Sequence, residues 1–347
     1  MEIKNLVTDI NVRKWRTEMR VLVTGSEGSL GQAVIPLLLK KGYVVTGVDN
    51  LARYGERFGL AGNDYTFIKC DLTDGLSVQR LMDQVKPDYI LQMAATIYGV
   101  SGFNKYCGEM YKDIALHDNV LRAAANHNVE KVIYISSSMV YENCPQDIAY
   151  PVPEDIVDSN PAPYTDYGLS KFVGERVSKA YLKQYGLKYT IWRPFNIITP
   201  YERSESEEVG ISHVFADYIK NIVIEKKKPL PILGDGYQIR CFTWIDEVAA
   251  AIADYSFDTK TDNQIYNLGN AEPISMRVLA EKIKDIASKE YNLIEDYFLL
   301  YETIGDYQND VRVRIPDCEK AKNELGWEAR MKVDDSIRMC LKYVAEK

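Results

Sequence analysis

Arg20–Lys40 reads RVLVTGSEGSLGQAVIPLLLK. An apolar run, Val21 to Val23, breaks at Thr24 into a turn carrying Gly25, Gly28 and Gly31, and apolar residues then recur at Leu30, Ala33, Val34, Leu37 and Leu38. That pattern predicts a strand, a tight turn and a helix with one buried face. Glycines let the turn fold sharply, let main chain approach a ligand, and let the helix start close to the strand. The helix start offers unpaired N–H groups and positive dipole character to an anion such as a pyrophosphate. The spacing is G-x-x-G-x-x-G, not the dehydrogenase form G-x-G-x-x-G, but strand and helix on either side favour dinucleotide binding over an ordinary loop. Pro36, beyond the first helical turn, is expected to remove a backbone bond and kink the helix.

Outward from this stretch the pattern repeats. Tyr43 to Val48 is a β-branched run ending in Asp49 and Asn50. An acid at the end of a second strand, about 20 residues after the glycines, is placed to accept ribose hydroxyls and to repel a 2′-phosphate, favouring NAD over NADP, although Arg53 lies close by. Tyr65 to Lys69 reads as a third strand followed by Asp71 and Leu72. Leu76 to Val85 reads as a helix, and Tyr89 to Met93 as a fourth strand ending in Ala94 and Ala95. After a helix from about Cys107 to His127, a fifth strand, Lys131 to Ile135, runs into Ser136, Ser137 and Ser138. Strands alternating with helices predict a Rossmann-like, doubly wound parallel sheet, whose ligands sit at the carboxyl ends of its strands. Gly25, Asp49, Asp71, Ala94 and Ser137 all fall at such ends.

Beyond a proline-rich loop, Tyr150 to Pro163, a helix carries Tyr167 and Lys171, and a strand from Lys188 to Trp192 leads into Arg193-Pro194-Phe195-Asn196. Later segments are less regular. Val209 to Lys227 reads as helical, Pro229 to Gly236 as turn-rich, and further helices begin near Asp246, Ser275, Asp317 and Asp334. The expected organisation is an N-terminal extension over 1–18, a dinucleotide-binding domain over 19–195, and a smaller C-terminal α/β substrate lobe over 196–347. A strand near 264–268 and its adjoining helix are expected to return to the first domain.

A net charge of -8 among 347 residues speaks against a nucleic-acid partner. The six cysteines are far apart and form no C-x-x-C pair, so neither a metal site nor a disulfide framework is expected. A reducing cytoplasm fits them best. No apolar run approaches a membrane span, and the polar first residues do not resemble a signal peptide.

Tyr167 and Lys171 stand four apart, so both side chains face one way. An ammonium near a phenol favours the phenolate. Bringing a tyrosine from about 10 to neutrality needs roughly three pK units, or about 4 kcal/mol, from nearby positive charge. Taken alone the spacing is common by chance, and a half-buried tyrosine beside a solvated lysine would explain it.

Together, TGSEGSLG, Val48-Asp49-Asn50, Asp71-Leu72, Ala94-Ala95, Ser136-Ser137-Ser138, YGLSK at 167–171 and RPFN at 193–196 resemble an extended short-chain dehydrogenase/reductase of the NAD-dependent nucleotide-sugar epimerase/dehydratase family. GDGYQIRCFTWIDEVA, Tyr266-Asn267-Leu268-Gly269 and Leu325-Gly326-Trp327 extend the resemblance over nearly everything after residue 19. It implies NAD as cofactor and a nucleotide-diphosphate sugar as substrate. Tyr167 would be the acid/base, Lys171 would hold the nicotinamide ribose and lower the tyrosine's pKa, and Ser137 would bond the reacting oxygen. Gly25, Gly28, Ser29, Leu30 and Gly31 would cradle the pyrophosphate. Asp49 and Asn50 would lie at the adenine ribose, Asp71-Leu72 near the adenine, and Ala94 and Ala95 along the cofactor. Ser138, Asn196, Arg240 and Arg312 would bind the substrate, with Arg314 an equal candidate for the last place; a guanidinium fork suits diphosphate oxygens. Family members are often dimers through helices such as those near 108–127 and 166–185, so a homodimer is expected.

The departures discriminate. The family's N-V-x-G-T-x-N run is Asp113-Ile114-Ala115-Leu116-His117-Asp118-Asn119 here; the usual His before the alanines is Gln92, and the Gly of Gly-Pro is Thr199. Asp113 and His117 are expected to form a surface pair. Where the 4,6-dehydratases resemble S-T-D-E-V-Y-G, this chain has Ser138 and Met139, neither able to act as their acid and base. A 4-epimerase needs only the Tyr, Lys and Ser, so 4-epimerisation of a nucleotide sugar is expected, and by family frequency alone the resemblance implies a UDP-sugar. The alternatives are a dehydratase or reductase whose second acid/base comes from elsewhere, with Tyr98, Cys107, Glu142 or Cys144 as donors, and a non-catalytic NAD-binding scaffold.

Overall fold

The structure is a computed structural model that describes residues 19–55, 65–147, 150–204, 206–305 and 311–346. The extension expected over 1–18 lies outside the described residues. The chain opens with β1 (Arg20–Thr24), α1 (Ser29–Lys40), β2 (Val44–Asp49), β3 (Tyr65–Lys69), α2 (Gly75–Val85) and β4 (Tyr89–Gln92). It continues through α3 (Val100–Lys105), α4 (Cys107–Asn126), β5 (Lys131–Ile135), α5 (Asp166–Tyr185) and β6 (Lys188–Pro194). Short elements follow: β7 (Ile197–Ile198), α6 (Val214–Tyr218), β8 (Leu230–Leu233), β9 (Ile239–Cys241), β10 (Thr243–Trp244), α7 (Ile245–Tyr255) and β11 (Gln264–Leu268). The last are β12 (Pro273–Ser275), α8 (Met276–Lys289), β13 (Tyr301–Ile304), β14 (Val313–Arg314), α9 (Glu319–Leu325) and α10 (Val333–Ala345).

Seven strands form one parallel sheet in the order β11-β6-β5-β4-β1-β2-β3. Alternation along β1 sends Val21 and Val23 to one face and Leu22 to the other. The first face is covered by α1 and α7, through Val34, Ile35 and Leu38 and through Val248, Ala249 and Ile252. The opposite face is covered by α2 and α4, through Val78, Leu81 and Met82 and through Leu116, Val120 and Leu121. The sheet is therefore buried on both sides, as continuous apolar parallel strands require. The Rossmann-like architecture read from the sequence is the architecture found.

Three readings need correction. The helix runs unbroken past Pro36, which stands on its exposed face. Pro229 to Gly236 is more than turn: β8 lies within it and pairs in parallel with β13, a partner some 70 residues away that local sequence does not announce. The helical reading of Val209 to Lys227 shrinks to α6 and a π-helical turn, Ile219–Ile224. No helix among the described residues is long and apolar enough to cross a membrane.

Candidate active site

The carboxyl ends of the parallel strands open into one cavity of about 1100 Å³. At one end its wall is largely main chain. Gly25 has φ +70°, and its amide donates to Val48 O at 2.8 Å, folding the turn against β2. A Cβ on Gly25 would lie 2.9 Å from Ala94 N, so the end of β4 can approach only a glycine. Thr24 Oγ1 fixes that approach: it accepts from the amides of Met93 and Ala94, each at 3.1 Å, and donates to Gln92 Oε1 at 2.9 Å. Gln92 is thus a tie between β1 and β4. Gly28 is the N-cap of α1, and no described side chain caps it. The first-turn N–H groups are left to an anion beside Gly28, Ser29 and Leu30, all in the wall. Gly31, expected in the same cradle, is not in the wall. Its Cβ would stand 2.3 Å from Ser26 O, so its part is close packing of helix on turn.

Asp49 ends β2 with Oδ2 accepting from Glu27 N at 3.1 Å and Oδ1 from Leu51 N at 2.8 Å. Asn50, Asp71, Leu72, Ala94 and Ala95 share this part of the wall. Arg53 also reaches the cavity, but its guanidinium pairs with Glu202 at 3.1 Å. An uncapped helix start, glycines that admit no Cβ and a carboxylate held by two main-chain amides fit a dinucleotide, and the pairing of Arg53 removes the feature that blurred NAD from NADP.

Midway along the cavity stand Ser137, Tyr167 and Lys171, 9%, 7% and 2% exposed. Thr165 caps α5 by accepting from Gly168 N at 3.0 Å, which sets the turn carrying Tyr167. The Phe103 ring lies flat on the Tyr167 ring, 4.6 Å between centroids and 5° between planes. Lys171 Nζ donates to Ile135 O at 3.0 Å and sits 5.8 Å from the Tyr167 ring centre. Burial pushes the Lys171 ammonium down to about 8, against Asp113 and Glu175, which hold it up. Burial also pushes the Tyr167 phenol up to about 12. A hydrogen bond with Ser137 and the charges of Arg314 and Arg53 draw it down, while Asp113 pushes it further up. Asp113 and His117 are not a surface pair: they are 1% and 2% exposed, on the α4 face packed against α5.

The far end is built from ionisable side chains. β14 pairs with β9 so that Arg314 stands in register with Arg240, both buried and in the wall. Guanidiniums lining a cavity suit an anion such as a diphosphate. Arg312 also reaches the wall, but it is exposed and ion-paired to Asp235 at 2.9 Å, so Arg314 is the better placed of the two. Asn196 lies in the wall with Oδ1 buried and taking no hydrogen bond from any described residue. Ser138, 3% exposed, and Met139 complete this part, with the Arg314 guanidinium against the Met139 sulfur.

Of the other donors considered, Tyr98 and Glu142 are in the wall, and Cys107 and Cys144 are not. Thr165 N and Oγ1 both donate to Glu142, whose carboxyl is pushed up by burial. Sequence reasoning missed Phe103, although the paired glycines of Gly99-Val100-Ser101-Gly102 were a signal. Gly99 N donates to Ile211 O at 2.7 Å and Ser101 N to Gly210 O at 2.9 Å, clamping α3 over the tyrosine. It also missed Glu202, which accepts from the His213 ring at 2.8 Å. Burial would raise its carboxyl, but His213 and Arg53 outweigh burial and hold it at about 2. No group of three or more His, Cys, Asp or Glu side chains among the described residues is placed to hold a metal.

Comparison with known proteins agrees with the fold. A UDP-glucuronate 4-epimerase of Thermodesulfobacterium geofontis is 27% identical over 336 residues, 94% of this chain and 96% of that one. A dTDP-glucose 4,6-dehydratase of Haemophilus influenzae is 25% identical, covering 94% and 97%. The structure of a UDP-glucose 4-epimerase of Thermotoga maritima with UDP-glucose superposes with a TM-score of 0.80 at 24% identity, over 94% and 99% of the chains. The sequence pattern of the NAD-dependent epimerase/dehydratase family matches residues 21–269, and the chain belongs to that family.

Proposed function

We propose that the protein is a nucleotide-sugar 4-epimerase, acting on a UDP-sugar through a transient 4-keto intermediate. The observation that carries this reading is the set at the centre of the cavity: Tyr167 and Ser137 are buried together beside Lys171, while the neighbouring place is filled by Met139, which has no exchangeable proton. Bound NAD would supply a hydride acceptor and donor. The chain's residues do the rest. Tyr167 takes the proton of the C4 hydroxyl and returns it, a general-base and then general-acid role. Ser137 hydrogen-bonds that oxygen in both directions. Lys171 keeps positive charge beside the phenol. Arg240 and Arg314 hold the substrate diphosphate, and Asn196 Oδ1 accepts from the substrate.

The small sheets β10-β7, β12-β9-β14 and β13-β8, with α6, α8 and α10, form the substrate lobe in this reading. α4 and α5 pack side by side with Tyr111 and Tyr185 exposed, the face through which a homodimer would form. The reducing cytoplasm is the compartment that suits the free cysteines.

A second reading is favoured by one observation. Glu142 is a buried carboxyl in the cavity wall and could stand in for the acid/base missing at Met139, giving a dehydratase. The test is to incubate the purified protein with UDP-, GDP- and dTDP-sugars, with and without added NAD, and identify products by NMR. A C4 epimer is expected. Net loss of water that disappears in Glu142→Gln would replace the first reading with the second.

A further inference from the structure

Beneath the catalytic pair, α4 and α5 bury a row of ionisable groups. Asp113 and His117 come from α4, Lys171 and Glu175 from α5, Tyr134 from β5 and Arg193 from β6, each no more than 2% exposed. A buried charge is costly unless it is partnered, so the partners show what each group serves. Glu175 is taken by Arg193, through Nε at 2.8 Å and a second guanidinium nitrogen at 2.7 Å, and by Ser136 Oγ at 2.5 Å. The His117 ring meets the Tyr134 hydroxyl at 2.8 Å, and burial holds that imidazole neutral.

Asp113 is left. Thr96 N lies 2.9 and 3.0 Å from its two oxygens, and Thr96 Oγ1 donates to one of them at 3.0 Å. A main-chain N–H can only donate, so both oxygens are turned toward a donor, a seat that suits an ionised carboxylate. Its hydrogen bonds come from a neutral residue; burial pushes its carboxyl up, and against burial Lys171 acts most, with the Thr96 bonds, to draw it down.

We propose that Asp113 is a positioning residue of the catalytic pair, the fixed counter-charge that keeps Lys171 an ammonium beside the Tyr167 ring. Its catalytic meaning rests on the roles proposed above for Tyr167 and Lys171. A buried negative charge favours the protonated form of every neighbour. Asp113 accordingly holds Lys171 up against burial and pushes Tyr167 up as well, while Glu175 acts on Lys171 in the same sense, and Arg314 and Arg53 oppose Asp113 at Tyr167. Replacing the charge by an amide therefore moves both titrations to lower pH.

The direct test is the Lys171 titration in full-length protein labelled with 13C at lysine Cε, assigned with Lys171→Met. In Asp113→Asn the midpoint is expected to fall by about one pH unit or more, and in Asp113→Glu to stay near the original. An unchanged midpoint in Asp113→Asn overturns the proposal. Labelling aspartate Cγ gives a reading on the unaltered chain, should the variant not fold: Asp113 is expected to be ionised at pH 7, and a protonated Asp113 overturns the proposal equally. In turnover, both limbs of the kcat/KM profile of Asp113→Asn are expected to move to lower pH, which a merely structural role would not cause. The lysine titration needs no substrate. If it shifts as expected but no nucleotide sugar is converted, the counter-charge stands and the epimerase reading fails.

Discussion

At the glycine turn the cavity wall is main chain and small side chains: Gly25, Gly28, Ala94 and Ala95. Where the later segments close the cavity it is Glu202, His213, Asp217, Arg240 and Arg314, charged or polar groups drawn from segments up to more than 100 residues apart. The first end is shaped by what cannot be added, since a Cβ on Gly25 or Gly31 collides with backbone. The second is shaped by which side chains can share a low-dielectric space. Backbone cradles suit a cofactor common to a whole family, and side-chain clusters suit a substrate that differs between members. The two ends should therefore fail differently when altered.

The largest effect is expected between the two ends. Tyr167→Phe removes the only acid/base of the proposed reaction, and turnover should fall by about a hundred- to ten-thousandfold in steady-state kinetics, with KM little changed. A small loss would mean that another group moves the proton. Next comes the cofactor end. Gly31→Ala places a Cβ 2.3 Å from Ser26 O, an atom of the backbone that cannot swing aside. Calorimetric unfolding should show a loss of about 1–3 kcal/mol, with weakened NAD binding.

At the substrate end the signature is pH. Asp217 accepts from Ser204 Oγ at 2.6 Å and Gly210 N at 2.7 Å, yet burial pushes its carboxyl up to about 6. A folded-state value above the unfolded 3.8 means that the folded protein binds the extra proton. The stability from this group is then full below the unfolded value and lost as pH rises through 6. Asp217→Asn should thus be more stable than the unaltered protein at pH 7.5, by about 2 kcal/mol, and the gain should shrink towards pH 4. Thermal midpoints across that range decide it. The smallest effect is at Arg312, whose pair with Asp235 is exposed and screened by water. Arg312→Ala should leave the melting curve unchanged and raise the nucleotide-sugar KM less than Arg314→Ala.

The same contrast explains what the sequence made legible. The glycine spacing, the acid after β2 and the small residues after β4 are local consequences of strand, turn and helix geometry, so spacing alone exposes them. Asp113 and His117 read as a surface pair because nothing in their own helix says that α5 covers them. Arg312 precedes the two-residue strand β14 and Arg314 ends it, and only the pairing of β14 with β9 tells which is buried. β8 had no local signature because its partner lies far along the chain. Pro36 misled in the other direction, since its cost depends on which face of the helix meets water.

The most direct test of the central claim, that one acid/base works at a single carbon, is turnover of the best nucleotide sugar in deuterated water, with NMR of every sugar carbon. The account predicts a C4 epimer carrying no deuterium on any carbon, because the hydride that leaves C4 returns within the site. Deuterium at C3 or C5 would contradict it, since Tyr167 alone cannot exchange those protons with solvent.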